Sequence, residues 1–245
     1  MRCVRGVAAA ALAAVLSVRQ CPASAETDFT ARDEPRFLLF ASTDLWRHGG
    51  FAHGGVVVAP SGLDRDGFVF KVMFGGGAYR YISGALGSID VVGAQLGAAA
   101  MPGWRFIRNG FIVTVFAGLD YQDHRLTPND PSAGLRGEYF GLRTAVELWY
   151  EPTPYTMLAA DASFSTVGPS YSARIAGGWR IFGHYYLGPE LQAFAADDNY
   201  QQMRVGVHVT GMKFWQFEWS AGLGWANDSD ERDSLYGKLG VISRH

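Results

Sequence analysis

The chain has 245 residues, with 21 Lys and Arg against 23 Asp and Glu; charged residues make up 18% of it and hydrophobic residues 48%. That balance excludes a disordered polypeptide and a nucleic-acid-binding surface, and its 2 cysteines are too few for a disulfide scaffold or a thiolate zinc site. Lysine is the scarcest charge: only Lys71, Lys213 and Lys238 occur, where a water-facing surface uses lysine freely.

Residues 1–25 read as a secretory signal, with Arg2 and Arg5, an apolar run from Val7 to Val18, and Ala23-Ser24-Ala25 as the cleavage site. The run is too short to span a bilayer as a helix. Cleavage after Ala25 is expected to remove Cys3 and Cys21 together with Arg2, Arg5 and Arg19, so 21 basic residues fall to 18 against 23 acidic. The alternative, lipidation at Cys21, meets Arg19 and Gln20 where a lipoprotein signal carries small residues. Residues 26–35 form a short acidic tail, and 36–245 form one domain.

No later segment is apolar for long enough to make a transmembrane helix. Period-two alternation replaces it. Phe68, Phe70, Val72 and Phe74 oppose Lys71, and Phe111, Val113, Val115, Ala117, Leu119 and Tyr121 oppose Thr114, Gly118, Asp120 and Gln122. From Phe140 to Tyr150 the even positions are mostly apolar, while Gly141, Arg143, Ala145, Glu147 and Trp149 face the other way. A helix would scatter that apolar set around its circumference, so the pattern is a strand. Met203, Val205, Val207 and Val209 oppose Arg204 and His208, and Trp215 to Trp225 oppose Glu218 and Ser220. The alternation predicts twelve strands, near 36–47, 51–59, 67–78, 88–99, 109–121, 138–150, 155–166, 170–180, 184–195, 201–211, 213–226 and 234–243.

Aromatic residues bracket several apolar faces at a spacing of ten: Phe111 with Tyr121, Phe140 with Tyr150, Trp215 with Trp225. Ten strand residues tilted by about 40° climb about 25 Å, the height of an outer-membrane apolar band. The opposite faces carry Gly, Ala and Ser with isolated charges of both signs: Lys71, Asp120, Arg143, Glu147, Asp161, Arg174, Glu190, Arg204, His208 and Glu218. Such charges suit a narrow lumen in which they pair across the interior. The expected fold is therefore all-β, an antiparallel up-and-down transmembrane β-barrel of about 12 strands. With both termini periplasmic, the long His124–Gly137 connection, Tyr79–Gly87 and the acidic Asn227–Asp233 become external, and Glu151-Pro152-Thr153-Pro154 becomes a periplasmic turn. Met101–Arg108 is then a long inner connection, against the usual asymmetry. The competing fold is a secreted β-sandwich or lipocalin-like barrel, soluble without detergent.

Motifs for chemistry are sparse. Gly75-Gly76-Gly77 lacks the Lys and Ser/Thr of a phosphate loop, and glycine on a barrel strand relieves curvature. His48, His53, His124, His184, His208 and His245 show no metal-ligand spacing, so no metal or cofactor is expected. His208, Ser220 and Glu218 on neighbouring inward faces leave a Ser-His-carboxylate enzyme open, and Asp120 with His124 reads as a rim contact. The acidic loops Asp197-Asp198-Asn199 and Asp228 to Asp233 match no calcium loop. Trp46, Trp104, His124, Arg125 and Trp149 are candidates for contact with glycan at the rims or loops; as girdle anchors the tryptophans need no ligand.

Several stretches together resemble the BcsS family of cellulose-biosynthesis proteins: Trp46-Arg47-His48-Gly49-Gly50, Gly62-Leu63-Asp64-Arg65-Asp66-Gly67-Phe68, Pro102-Gly103-Trp104-Arg105-Phe106 and Ala117-Gly118-Leu119-Asp120-Tyr121. Glu147-Leu148-Trp149-Tyr150-Glu151-Pro152, Tyr186-Leu187-Gly188-Pro189-Glu190 and Arg204-Val205-Gly206-Val207-His208 continue the match in order. The resemblance implies an alphaproteobacterial envelope protein encoded with a cellulose synthase system, and it carries no catalytic residues over. The function expected is a non-enzymatic outer-membrane barrel supporting cellulose secretion or display. Its expected partners are outer-membrane lipid and cellulose or other parts of the synthase system. An outer-membrane enzyme acting on lipid or glycan, and a polysaccharide-binding barrel, are the alternatives.

Overall fold

The computed structural model describes residues 34–196, 200–229 and 232–245. The proposed signal peptide and nearly all of the acidic tail lie outside these residues. Twelve strands follow one another along the chain: β1 (Phe37–Trp46), β2 (Gly49–Val58), β3 (Gly67–Ser83), β4 (Ile89–Arg108), β5 (Phe111–Thr127) and β6 (Gly137–Thr153), then β7 (Thr156–Ser165), β8 (Ser170–Ile181), β9 (Tyr185–Ala196), β10 (Tyr200–Phe214), β11 (Phe217–Asp228) and β12 (Asp233–Arg244). Each pairs antiparallel with its sequence neighbours, and β12 closes on β1 from Leu38↔Arg244 to Trp46↔Tyr236. Closure leaves no edge strand, which is what a lipid environment requires.

The alternation sets the two faces. Outward positions such as Phe74, Leu96, Leu119, Phe140, Val205 and Leu223 are exposed, while the intervening positions are buried in the lumen. For Phe111 with Tyr121 and Phe140 with Tyr150 the ten-residue spacing becomes two bands, whereas Trp215, paired by spacing with Trp225, lies in the turn between β10 and β11 at positive φ. Phe111 pairs with Tyr150 at one end, with ring centroids 5.8 Å apart, and Tyr121 pairs with Phe140 toward the other, at 5.0 Å.

The structure corrects the boundaries in one important place. Met101–Arg108 is no connection: β4 runs through it, and the turn is Asn109–Gly110, both at positive φ. Pro102 made the stretch look like a loop. It pairs with Phe70 on its β3 side, while the β5 ladder skips from Ala100↔Leu119 to Gly103↔Phe116, the gap expected of a residue with no N–H to donate. The strands β3 to β6 are also longer than the alternation suggested, so the long external connection shrinks to 128–136. Loop lengths are less lopsided than expected, because the connection at 59–66 lies at the end carrying the termini, and Arg47-His48 alone links β1 to β2 at the other.

Both longer connections fold inward. At the termini end, Leu63 is fully buried against Leu38, Phe40, Val69, Met101 and Phe116, and its carbonyl accepts from Arg105 at 2.9 Å. At the far end, Ala133 packs with Phe51, Tyr79, Tyr81 and Val91, and Leu135 packs with Val167 and Ala196. The Asp130 carboxylate accepts from the Tyr81 hydroxyl at 3.0 Å and the Ser132 hydroxyl at 2.6 Å, pinning this loop over the lumen. Burial pushes the Asp130 carboxyl up, but hydrogen bonds from Ser132, Ser83 and Tyr81 outweigh it and hold it below its ordinary value.

Candidate functional site

The site is the lumen, and Glu190 on β9 is its hub. Its carboxylate accepts from Arg174 Nε at 2.8 Å, Lys238 Nζ at 2.5 Å, the Tyr236 hydroxyl at 3.0 Å and Gln192 Nε2 at 3.1 Å. Four donors on three strands converge on one fully buried anion. Arg174 also lies 3.7 Å from Asp161, its register partner on β7, and Asp161 is opposite Glu147 on β6. Glu147 in turn holds Lys71, which reaches from β3 with its Nζ 5.0 Å from the Phe40 ring and 5.2 Å from the Phe116 ring. Cation–π contact and an ion pair together offset the loss of water around this ammonium.

Two further groups fill the outer half. Arg143 grips Asp120 through two hydrogen bonds of 3.1 and 2.9 Å. Ser165 and Gln122 add donors to the same carboxylate, and Gln122 passes the network on to Gln95 and His124. Arg204 reaches across two strands to Asp44, with contacts of 2.8 and 2.6 Å, and its guanidinium sits among Trp46, Phe194 and Tyr236. Three cavities between these side chains measure about 20, 20 and 10 Å³, each room for about one water.

Every charged position assigned to the lumen by alternation faces inward: Lys71, Asp120, Arg143, Glu147, Arg174, Glu190, Arg204, His208 and Glu218 are buried, and Asp161 is nearly so. His208 is fully engaged, one ring nitrogen with the Thr210 hydroxyl at 2.9 Å and the other with the Gly177 carbonyl at 3.1 Å. Its register partner is Gly222, while Ser220 is opposite Thr210, so the Ser-His pairing considered above is not made. Asp120 and His124 face the same way on a strand that runs on to Thr127, linked through Gln122, so the expected rim contact becomes part of the interior.

The rim and loop candidates lie at both ends of the barrel. Trp46 stacks on Phe51 at 5.9 Å at the far end of the lumen. His124 is buried there against Tyr139, and Arg125 beside it is exposed and paired with Asp123 at 2.9 Å. Trp149 is buried in the lumen near the termini end, donating to Glu151 and meeting Tyr186 edge-on at 5.9 Å. Trp104 is 49% exposed on the outward face of β4 near the same end, where a girdle residue belongs. Two of the five thus lie half a barrel away from the others.

Asp44, Lys238 and Arg105 were missed. Each sits at an inward position among apolar neighbours, and the parity of Leu45, Leu239 and Phe106 could have found them. Among the described residues no group of three or more His, Cys, Asp or Glu could hold a metal ion. The acidic tips Asp197-Asp198-Asn199 and Asp230-Glu231 lie outside the described residues, and Asp228 is bound to Arg232 at 2.9 Å.

Comparison with known proteins decides the family. The profile of the cellulose biosynthesis protein BcsS matches residues 38–245, which is nearly the entire described chain. The chain belongs to the BcsS family. No protein with a curated description matches it. Its fold is that of outer-membrane β-barrels. The COG4313 outer membrane channel from Pseudomonas putida F1 superposes with a TM-score of 0.54 at 11% identity, over 91% of this chain and 100% of that one. The TodX monoaromatic hydrocarbon channel (the ΔS2S3 mutant) gives 0.53 at 10% identity, over 86% and 90%. The β domain of the Bordetella autotransporter BrkA gives 0.52 at 10% identity, over 87% and 100%. Membership of the BcsS family relates this barrel to cellulose biosynthesis.

Proposed function

We propose that this BcsS-family barrel resides in the outer membrane and supports cellulose secretion or surface display as a non-enzymatic accessory. It acts as a membrane-embedded platform for the synthase system and not as the route through which glucan passes. The observation carrying this reading is the filled lumen: buried ion pairs span it, and an inward-folded loop caps each end. A glucan strand would have to displace the Glu190 hub and strand several charges without partners, at about 3–5 kcal/mol for each pair broken. With 12 strands the barrel is narrower than the 16–18-stranded porins that enclose a wide aqueous channel, so side chains can span its interior. His208 is bonded to Thr210 and the Gly177 carbonyl and not to Ser220, so the Ser-His-carboxylate set that an enzyme reading would use is not assembled.

Deletion of the gene, with surface cellulose measured by calcofluor and Congo red, tests the pathway role. Altered amount, release or attachment is expected, and no change in any of the three contradicts it. Complementation by a chain carrying His208→Gln and Ser220→Ala is expected to be full. Failure of that folded variant would favour the enzyme.

A further inference from the structure

The outer face of β1 to β4 is hollow. Small residues form its floor, Ala41, Ala52, Gly54, Gly76 and Ala98, and bulky ones form its walls, among them Leu39, Phe74, Leu96, Tyr121 and Trp219. The groove has a volume of about 1150 Å³, at or beyond the upper end of the roughly 300–1,000 Å³ typical of small-molecule pockets. Its depth is built into the backbone. A Cβ on Gly76 would come 2.7 Å from the Gln95 carbonyl oxygen, so that position of the floor is glycine by necessity.

The groove has a basic head. Arg47 and His48, in the turn between β1 and β2, and Arg80 on β3 each lie four residues along the chain from a groove-lining residue, Thr43, Ala52 and Gly76, toward the far end. At roughly 3.3 Å per residue that is about 13 Å. The three are held as one unit, because the Arg80 amide donates to the His48 carbonyl at 2.8 Å. Arg232 joins them, donating to the Arg80 carbonyl at 3.1 Å. Arg47 and Arg80 are exposed, on the side of the barrel that carries the groove. Burial, followed by the charges of Arg232 and Arg47, holds the His48 imidazole below its ordinary value against the opposing charges of Asp228, which pairs with Arg232, and Asp90.

We infer that this groove binds a phosphorylated, multiply acylated glycolipid of the outer leaflet, with acyl chains in the hollow and a phosphate at Arg47 and Arg80. The inference rests on the outer-membrane reading above. Hydrocarbon must fill a concave face that looks into a bilayer, since an empty hollow loses its dispersion contacts. Arginine at its outer end selects an anion there, through charge-assisted and bidentate hydrogen bonds. The long axis of such a lipid matches the order of the site, apolar below and cationic above. A second copy of the chain fits poorly, because a two-fold interface sets a patch against itself, and two concave faces cannot fill each other.

The test uses the purified mature chain in non-ionic detergent, with native mass spectrometry and titration against bis-phosphorylated lipid A. The same lipid without phosphates and phosphatidylglycerol are the comparison probes. Retention of phosphorylated lipid A is expected, with at least a tenfold loss of affinity in a variant whose groove is filled by Ala52→Trp and Ala98→Trp. Arg47→Ala with Arg80→Ala is expected to weaken phosphorylated lipid A several-fold and to leave the phosphate-free lipid unchanged. Heat-modifiable migration reports whether each variant has folded, and the arginine pair, at exposed positions, keeps the test available if the filled groove misfolds. Equal binding by a folded variant of either kind overturns the inference. So does equal affinity for phosphatidylglycerol, or a wild-type dimer that the filled groove abolishes. A chain that is folded only in detergent yet binds none of the probes loses the site and keeps its membrane location; a chain soluble without detergent loses the location itself.

Discussion

The two sides of the lumen are filled by opposite means. On the β1 to β5 side, Leu38, Phe40, Val57, Met73, Met101 and Phe116 make an apolar core sealed by Leu63. On the β6 to β12 side, Glu147, Asp161, Arg174, Glu190 and Lys238 make a network of buried charge. Lys71 belongs to both, its base on the apolar side and its ammonium against Glu147. The difference teaches that the two halves fail differently. An apolar core loses stability in proportion to the hole left behind, whereas a charged one depends on whether a removed group leaves its partner stranded.

The largest expected effect is therefore on the charged side. Glu190→Gln leaves Arg174 and Lys238 facing a neutral amide and is expected to destabilise the barrel by about 5 kcal/mol, measured by urea unfolding from lipid vesicles. On the apolar side, Phe116→Ala is expected to cost about 3 kcal/mol by the same measurement, through the cavity it opens and the ring it removes from Lys71. A loss larger than that of Glu190→Gln would reverse the comparison. At the junction, Lys71→Met alone strands Glu147 and is expected to cost about 3 kcal/mol, while Lys71→Met with Glu147→Leu is expected to fall within about 1 kcal/mol of the parent. If the double variant is as unstable as the single, charge matters here for more than pairing. Outside the lumen altogether, Trp215→Ala in the turn between β10 and β11, where the ring is 90% exposed, is expected to change stability by less than about 1 kcal/mol.

The cap over the far end adds a dependence on pH. The Asp130 carboxyl is held below its ordinary value, so the folded form binds its proton less readily than the unfolded chain does. The cap's stability is then fully present above the unfolded value near 4 and is lost as pH falls through the lower, folded one. Asp130→Asn is expected to remove that acid-dependent part, seen as earlier proteolysis of loop 128–136 at neutral pH and a flatter pH profile.

Alternation made the strands and the lumen charges legible because every residue of a strand points to one face or the other. Lys71, Asp120, Arg143 and Glu190 could be placed by parity alone. Their partners could not, since Asp44 and Arg204 are 160 positions apart and meet only through the tilt and register of the closed sheet. The inward folds at Leu63 and Asp130 were equally hidden, because a loop has no period from which direction can be read. Trp104 was misplaced for a related reason: Pro102 interrupts one ladder of β4 while leaving the strand intact.

The central claim is that the lumen is closed, so that the barrel serves cellulose biosynthesis from its place in the membrane and not as a conduit. Conductance of the purified wild-type chain across a planar lipid bilayer tests it most directly. No persistent open channel is predicted, with conductance emerging only in variants that break the Glu190 hub. A steady open conductance of porin size in the wild-type chain would contradict it.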